Sequence, residues 1–385
     1  MVTKYHMPVD VRFGAGCLKE LSGFLCASDR VLLVTDPGLE AVGLVDRVRD
    51  VILPTGADCR LYDQVEPNPT ADLIERAMED VREYHPTKLV ALGGGSSVDT
   101  AKVLAALATN EGPLVDYQWN GKPFTNQPLP LIAIPTTAGT GSEVTMCAVI
   151  VDRNCKKGIN GPAMFPMAAL VDAELMASLP LYLTATTGMD ALSHAIEAYV
   201  GQGANPITDA LAREAIRLIG GALWGACANG ADLKARQDMA LGSVLAGIAM
   251  DQAGLGLVHA LSSPLCSFFH MAHGEANAVL LKYCMEFNLM ARPERFADIA
   301  ALLGVNTAGM STFQAAQASV KAVEELFDRT GVRVPFTLFG MKESDAELVA
   351  SNLATFLQAN NPRRISQKQC EELYLHILAD QSRDQ

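Results

Sequence analysis

Histidine is scarce in this chain, with seven residues in 385. Basic residues are outnumbered, 30 Lys and Arg against 43 Asp and Glu, and the formal net charge of -13 argues against a nucleic-acid partner. Lys156-Lys157 and Arg363-Arg364 are pairs, and no basic cluster opposes that reading. No apolar run reaches the about 18 residues that a membrane span needs. The start, Met1-Val2-Thr3-Lys4-Tyr5-His6, has no signal-peptide pattern. The nine cysteines are odd in number, scattered and without a Cys-x-x-Cys pair. That argues against a disulfide framework or a thiolate zinc site, and it suits a reducing cytoplasm. Internal repeats and low-complexity segments are missing too. What remains is 49% hydrophobic and 19% charged, a packed globular composition. Its length exceeds one core, so two domains are expected.

The first half alternates short apolar runs with helix-length segments. Val31–Thr35, Asp58–Val65, Lys88–Leu92 and Leu131–Ile134 read as strands. Leu39–Val51, Ala71–Tyr84 and Val98–Thr109 read as helices, with Thr70 as a cap for the second. Strands apolar on both faces and alternating with helices predict a parallel sheet covered on both sides. After about residue 180 strand-like runs stop. Segments 184–200, 206–223, 232–250, 293–303, 311–329, 345–357 and 366–379 read as helices. The expected division is therefore 1–180, an α/β domain, and 181–385, a helical domain.

Gly93-Gly94-Gly95-Ser96-Ser97-Val98-Asp99 stands where a strand hands over to a helix. Glycines let backbone approach a phosphate, and a helix N-terminus offers free N–H groups and partial positive charge. The spacing differs from Gly-x-Gly-x-x-Gly, so a plain tight turn is the rival reading, with Asp99 a helix-start residue. Thr136-Thr137-Ala138-Gly139-Thr140-Gly141-Ser142-Glu143 is a second small-residue loop after another strand. Two such loops suit a dinucleotide. Asp36, closing the Val31–Thr35 strand, suits ribose hydroxyls and would repel a 2′-phosphate, favouring NAD over NADP.

The few histidines are unevenly placed. Asp190 and His194 stand four apart in Gly188-Met189-Asp190-Ala191-Leu192-Ser193-His194-Ala195-Ile196-Glu197, one turn of one helix face. A carboxylate and an imidazole so placed make half of a metal site. His259, His270 and His273 cluster within fifteen positions and can complete it. Taken singly, each has a plainer reading as a chance pair or a hydrogen-bonded core histidine.

These stretches together resemble the iron-containing (group III) alcohol dehydrogenases. The motifs are Gly-Gly-Gly-Ser-x-x-Asp at 93–99, Pro-Thr-Thr-x-Gly-Thr-Gly-Ser-Glu at 135–143, Gly-Met-Asp-Ala-Leu-x-His-Ala-Ile-Glu at 188–197, His259 to His273-Gly274, and Asn361-Pro362-Arg363. The resemblance implies the dehydroquinate synthase-like fold: a Rossmann-like domain, a helical domain, and a site in a cleft between them. It implies that Asp190, His194, His259 and His273 bind Fe²⁺, with Zn²⁺ or another divalent ion as the occupant that affinity alone would favour. It assigns NAD contacts to Asp36, Gly94, Gly95, Ser96, Asp99, Thr136, Thr137, Thr140 and Lys156. The implied reaction is NAD(H)-dependent interconversion of a short-chain alcohol and its aldehyde, with the metal polarising the substrate oxygen. The implied substrates include ethanol, lactaldehyde, 1,3-propanediol, 4-hydroxybutyrate and short anionic aldehydes, and a homodimer or larger homo-oligomer is expected. One position departs from the family's His-Ala-x-x-His-Pro-Leu-Gly: Ser263 and Cys266 stand in place of the second histidine and the glycine. Ser263 or His270 is then the candidate proton relay. A dehydroquinate synthase-like lyase and a non-catalytic NAD- and metal-binding protein are the competing functions.

Overall fold

A computed structural model describes residues 4–153 and 155–383. Contacts divide the chain into two units, His6–Leu179 and Pro180–Gln385, the latter together with the residues before His6.

The first unit is built on six parallel strands: β1 Asp10–Phe13, β2 Arg30–Val34, β3 Asp58–Tyr62, β4 Lys88–Gly93, β5 Leu131–Pro135 and β8 Ala168–Val171. Their spatial order is β1-β8-β5-β4-β2-β3. β6 Cys147–Asp152 and β7 Cys155–Asn160 form a separate antiparallel pair. Five helices connect the strands: α1 Pro37–Ala41, α2 Leu44–Ile52, α3 Ala71–Tyr84, α4 Gly95–Leu107 and α5 Leu114–Gln118. The uniformly apolar strands divide their side chains by the period of two. Leu32, Val34, Leu89, Ala91, Leu131 and Ala133 join one core with the apolar faces of α3 and α4. Val31, Leu33, Val90, Leu92, Ile132 and Ile134 join another, beneath α2. Burial on both faces is what a parallel sheet requires.

The order in which strands are added across the sheet reverses between β2 and β4. β2 leads outward to β3, and the chain then returns to place β4 on the other side of β2. The carboxyl ends of β2 and β4, at Asp36 and Gly93, therefore flank a topological switch point, where open α/β sheets bind ligands.

The second unit is helical: α6 Leu181–Val200, α7 Pro206–Ala228, α8 Leu233–Ala253, α9 Leu257–Phe268, α10 His273–Asn288, α11 Pro293–Leu302, α12 Thr312–Arg329, α13 Ala346–Ser351, α14 Thr355–Gln358 and α15 Gln367–Arg383. Among the described residues no single helix is long and apolar enough to cross a membrane.

Several sequence expectations need correction. The segment 39–51 is two helices, because Gly43 adopts φ +75° between them. α4 begins at Gly95, three residues before the expected start at Val98, with Gly94 at its N-cap. The segment 345–357 is also broken, at Ala354. That break matches a feature of α9, which contains Pro264. A proline cannot donate to the carbonyl four residues back, here that of Ala260. The Ala354 N–H donates to that carbonyl at 3.3 Å instead. One irregularity thus satisfies the other. Strands β1 and β8 and helices α9 and α10 were not expected.

Gly93 has φ +149°, and a Cβ there would lie 2.4 Å from Ser97 Oγ. Gly93→Ala combines backbone strain with that clash. It is expected to destabilise its unit by about 1–3 kcal/mol, read as a lower urea midpoint of the sheet unit.

Candidate metal centre and nucleotide loops

Three helices bring the metal candidates together. α6 carries Asp190 and His194 on one stripe, and α9 carries His259 in its first turn. α10 opens on His273. Its approach to α6 is very close, since a Cβ on Gly274 would stand 2.8 Å from the Thr186 carbonyl oxygen. Only glycine allows α10 this near the backbone of α6. Glu275 fixes the same end: it accepts from the Ala272 N–H at 2.8 Å and from the Tyr182 hydroxyl at 2.7 Å.

The donor atoms of Asp190, His194, His259 and His273 all lie within 4.8 Å of one another. Asp190 Oδ1 is 3.5 Å from His194 Nε2, and 3.8 Å from both His259 Nε2 and His273 Nε2. Ligands about 2.1 Å from a tetrahedral cation stand about 3.4 Å apart, so the set fits a divalent metal. Asp190, His194 and His259 are buried, while the His273 side chain keeps 35% exposure. Burial raises the Asp190 pKa, but His194, His273 and His259 together with the Asn277 amide outweigh it and leave the carboxyl below its ordinary range. One oxygen and three nitrogen donors with a partly open side are a donor set suited to a Lewis-acid cation.

A residue without an expected role orders this centre. Glu197 follows Asp190 by seven positions on the same stripe of α6. Its Oε2 accepts from His259 Nδ1 at 2.7 Å and from the Gly256 N–H at 2.9 Å. Its Oε1 accepts from the Val258 N–H at 2.6 Å. A carboxylate only accepts here, so the imidazole hydrogen sits on Nδ1 and the Nε2 lone pair faces the metal candidates. The same carboxylate caps α9, where negative charge is favoured. The i, i+4, i+7 spacing of 190, 194 and 197 is a signal that could have revealed it. Asn277, one turn after His273, is likewise drawn into the set, donating to Asp190 Oδ1 at 2.6 Å.

The proton-relay candidates fall outside the ligand cluster. Ser263 is half-buried on α9, one turn beyond His259, and Cys266 is buried on the same helix. His270 is exposed in the turn before α10, with φ +56°.

In the sheet unit the two small-residue loops meet. A Cβ on Gly95 would lie 2.8 Å from Thr140 Cγ2, one on Gly94 would lie 3.4 Å from Thr137, and one on Gly93 would lie 3.5 Å from Asp36 Oδ2. The Thr136 N–H donates to the Gly93 carbonyl at 3.0 Å. Ser96 Oγ accepts from the Asn68 N–H at 3.3 Å. Asp36, Gly94, Gly95, Ser96, Thr136, Thr137 and Thr140 thus share one corner of the unit, at the N-terminus of α4. Asp36 also caps α1 through Gly38 N–H at 3.0 Å, and burial raises its pKa. Asp99 is committed within the protein: Oδ1 accepts from the Ser142 hydroxyl and Oδ2 from the Val149 N–H at 2.9 Å. Lys156, half-buried on β7, contributes its charge to Asp99 rather than standing apart from the loops. Beneath them Lys102 is 1% exposed, and its ammonium donates to the carbonyls of Thr145 and Cys147 at 2.9 Å and 2.7 Å. Burial pushes the neighbouring Glu143 carboxyl up to about 7, against the pull of Lys102.

Two family models match the chain: "iron-containing alcohol dehydrogenase" over residues 8–173 and "Fe-containing alcohol dehydrogenase family, C-terminal" over 184–378. An NAD-dependent methanol dehydrogenase of Bacillus methanolicus is 40% identical over 368 residues, 94% of this chain and 96% of that one. A crystal structure of a 1,3-propanediol oxidoreductase superimposes with a TM-score of 0.94 at 37% identity, covering 98% of this chain and all of that one. The sulfoacetaldehyde reductase of Bifidobacterium kashiwanohense, solved in complex with NAD⁺, superimposes with a TM-score of 0.89 at 31% identity over 98% of this chain and 99% of that one.

Glu197→Gln keeps the shape but loses the charge that orients His259. Outer-shell losses of this kind weaken metal binding about 10–100-fold, which chelator competition on the folded variant measures. Glu143 has a pKa raised above its unfolded value, so the folded state binds this proton more tightly. Its contribution to stability is full below the unfolded pKa and is lost as pH rises toward about 7. Urea midpoints across that window should fall less steeply in Glu143→Gln than in the parent.

Proposed function

The chain belongs to the iron-containing alcohol dehydrogenase family, and from that premise we propose that Asp190, His194, His259 and His273 hold the divalent metal of an NAD(H)-dependent alcohol dehydrogenase. The reaction class is established by kinship: the chain interconverts an alcohol and its aldehyde with NAD as hydride carrier. When bound, the metal supplies Lewis acidity at the substrate oxygen, and the nicotinamide accepts or returns the hydride. Membership in this family removes the lyase and non-catalytic readings.

The protein's own groups supply the rest. Glu197 holds the His259 ring with Nε2 facing the other ligands, and burial of Asp190 keeps water from competing for its carboxylate. The amides at the start of α4, with Gly94 and Gly95 leaving room, receive the cofactor diphosphate, while Ser96, Thr136, Thr137 and Thr140 supply hydroxyls around it. Asp36 takes the adenosine ribose and selects NAD, and Lys156 contacts the other ribose. Asp99, with both oxygens engaged, braces this corner. Oxidation of the alcohol also releases its hydroxyl proton. Ser263 Oγ, one helical turn from His259, passes it to solvent, and His270 shapes the rim. A small primary alcohol or the corresponding aldehyde is the substrate, as with the methanol and 1,3-propanediol enzymes among its relatives. The nine scattered cysteines, without a Cys-x-x-Cys pair, suit reaction in a reducing cytoplasm. The working form is a homo-oligomer.

The convergence of one carboxylate and three imidazoles carries this reading. His259→Ala is expected to lose bound metal and turnover by at least about 100-fold, with NAD⁺ affinity unchanged within about twofold. Metal analysis, a coupled NADH assay over short aldehydes (including phosphonate- and sulfonate-bearing ones) and NADH fluorescence titration read the three quantities. Turnover that survives complete removal of metal from the parent protein defeats the proposal.

A further inference from the structure

Asn277 has no part in the roles above, yet its carboxamide lies within the ligand set. Nδ2 is 2.6 Å from Asp190 Oδ1 and 3.1 Å from both His259 Nε2 and His273 Nε2. The residue is 0% exposed, and its Oδ1 has no hydrogen-bond partner among the described residues. Buried amides ordinarily satisfy both ends. This one directs its nitrogen at three lone pairs that point to a common centre and leaves its oxygen unmet. α10 presents His273 and Asn277 one turn apart, so one helix face delivers both a ligand and an amide.

Counting lone pairs separates the three contacts. A neutral imidazole has one acceptor lone pair, whereas a carboxylate oxygen has two. A cation therefore takes the only lone pair of His259 Nε2 and of His273 Nε2, but leaves Asp190 Oδ1 one to spare. The shortest of the three contacts is the one to Asp190, the partner that can keep it.

We propose that Asn277 is a positioning residue of the metal centre: one N–H of its amide fixes Asp190 Oδ1 at all times, and the other, shared between His259 Nε2 and His273 Nε2, keeps those rings converged until a cation takes their lone pairs. Asn277 then sets how tightly and in what geometry the four ligands bind. The proposal rests on the reading of those four side chains as a metal site.

The test uses the full-length protein, stripped of metal and titrated with Co²⁺ against a competing chelator while the visible ligand-field absorption is recorded. Asn277→Ala removes the donor, and Asn277→Leu does so while keeping the volume. Each is expected to weaken Co²⁺ binding about 10–100-fold and to shift the absorption bands, since these report coordination geometry. Far-UV circular dichroism and NAD⁺ affinity should match the parent. If Asn277→Ala fails to fold, Asn277→Leu carries the comparison. A folded variant with the parent's Co²⁺ affinity and absorption overturns the proposal while leaving the metal site standing. If the parent itself binds no more Co²⁺ than His259→Ala, the metal reading falls, and the role of Asn277 falls with it.

Discussion

The carboxylate of Glu197 joins two parts of the helical unit that the chain keeps far apart. It sits on α6, behind Asp190 and His194, and receives the Gly256 and Val258 N–H groups and the His259 ring. One buried charge thereby caps α9, orients a candidate metal ligand and registers α9 against α6. Gly256 makes this possible, because a Cβ there would stand 3.1 Å from Glu197 Oε1. Asn361 supports the same junction: its Oδ1 accepts from the Leu257 N–H at 3.2 Å and from Asn288 at 2.9 Å. A buried carboxylate with three donors is stable where an unpartnered one would not be. The direction of the His259 lone pair follows from that bond rather than from the imidazole itself.

The sheet unit uses the same economy of small residues against backbone. Gly93, Gly94 and Gly95 let β4 turn into α4 beside Thr137 and Thr140, while Asp36 lies across from them at the end of β2. The crowding follows from strand order. Where strand order reverses between β2 and β4, two loops diverge and leave helix amides open to a ligand. Asp99 and Lys102, both on α4, then brace the loop from within, through Ser142, Val149, Thr145 and Cys147. Buried charges here hold loops in place rather than doing chemistry.

Much of the site was legible before any coordinates. Asp190 and His194 share a helix stripe, and histidine is rare enough that the 259–273 cluster stood out. The glycine and threonine loops followed strong apolar strands. Less legible were the helices that carry two of the candidate ligands. Proline inside α9 and glycine at the second position of α10 both argue locally against helix. In the fold each has its compensation, the Ala354 N–H for the carbonyl that Pro264 leaves free and the backbone of α6 for Gly274. β1 and β8 escaped notice because each has only four residues and is made a strand by its neighbours in the sheet.

By itself, then, the sequence determined the elements and the chemical types: apolar period, loop composition, and the candidate ligand pair that a single helix presents at 3.6 residues per turn. Those are local properties, carried by residues near one another along the chain. The tertiary structure decided which remote groups share a lone pair or a proton. Glu197 reaches His259 across 62 positions, and Asn277 reaches Asp190 across 87. Hydrogen bonds act over about 3 Å, and no spacing along a chain encodes a separation of that size between segments so remote. It exists only once the three helices have packed.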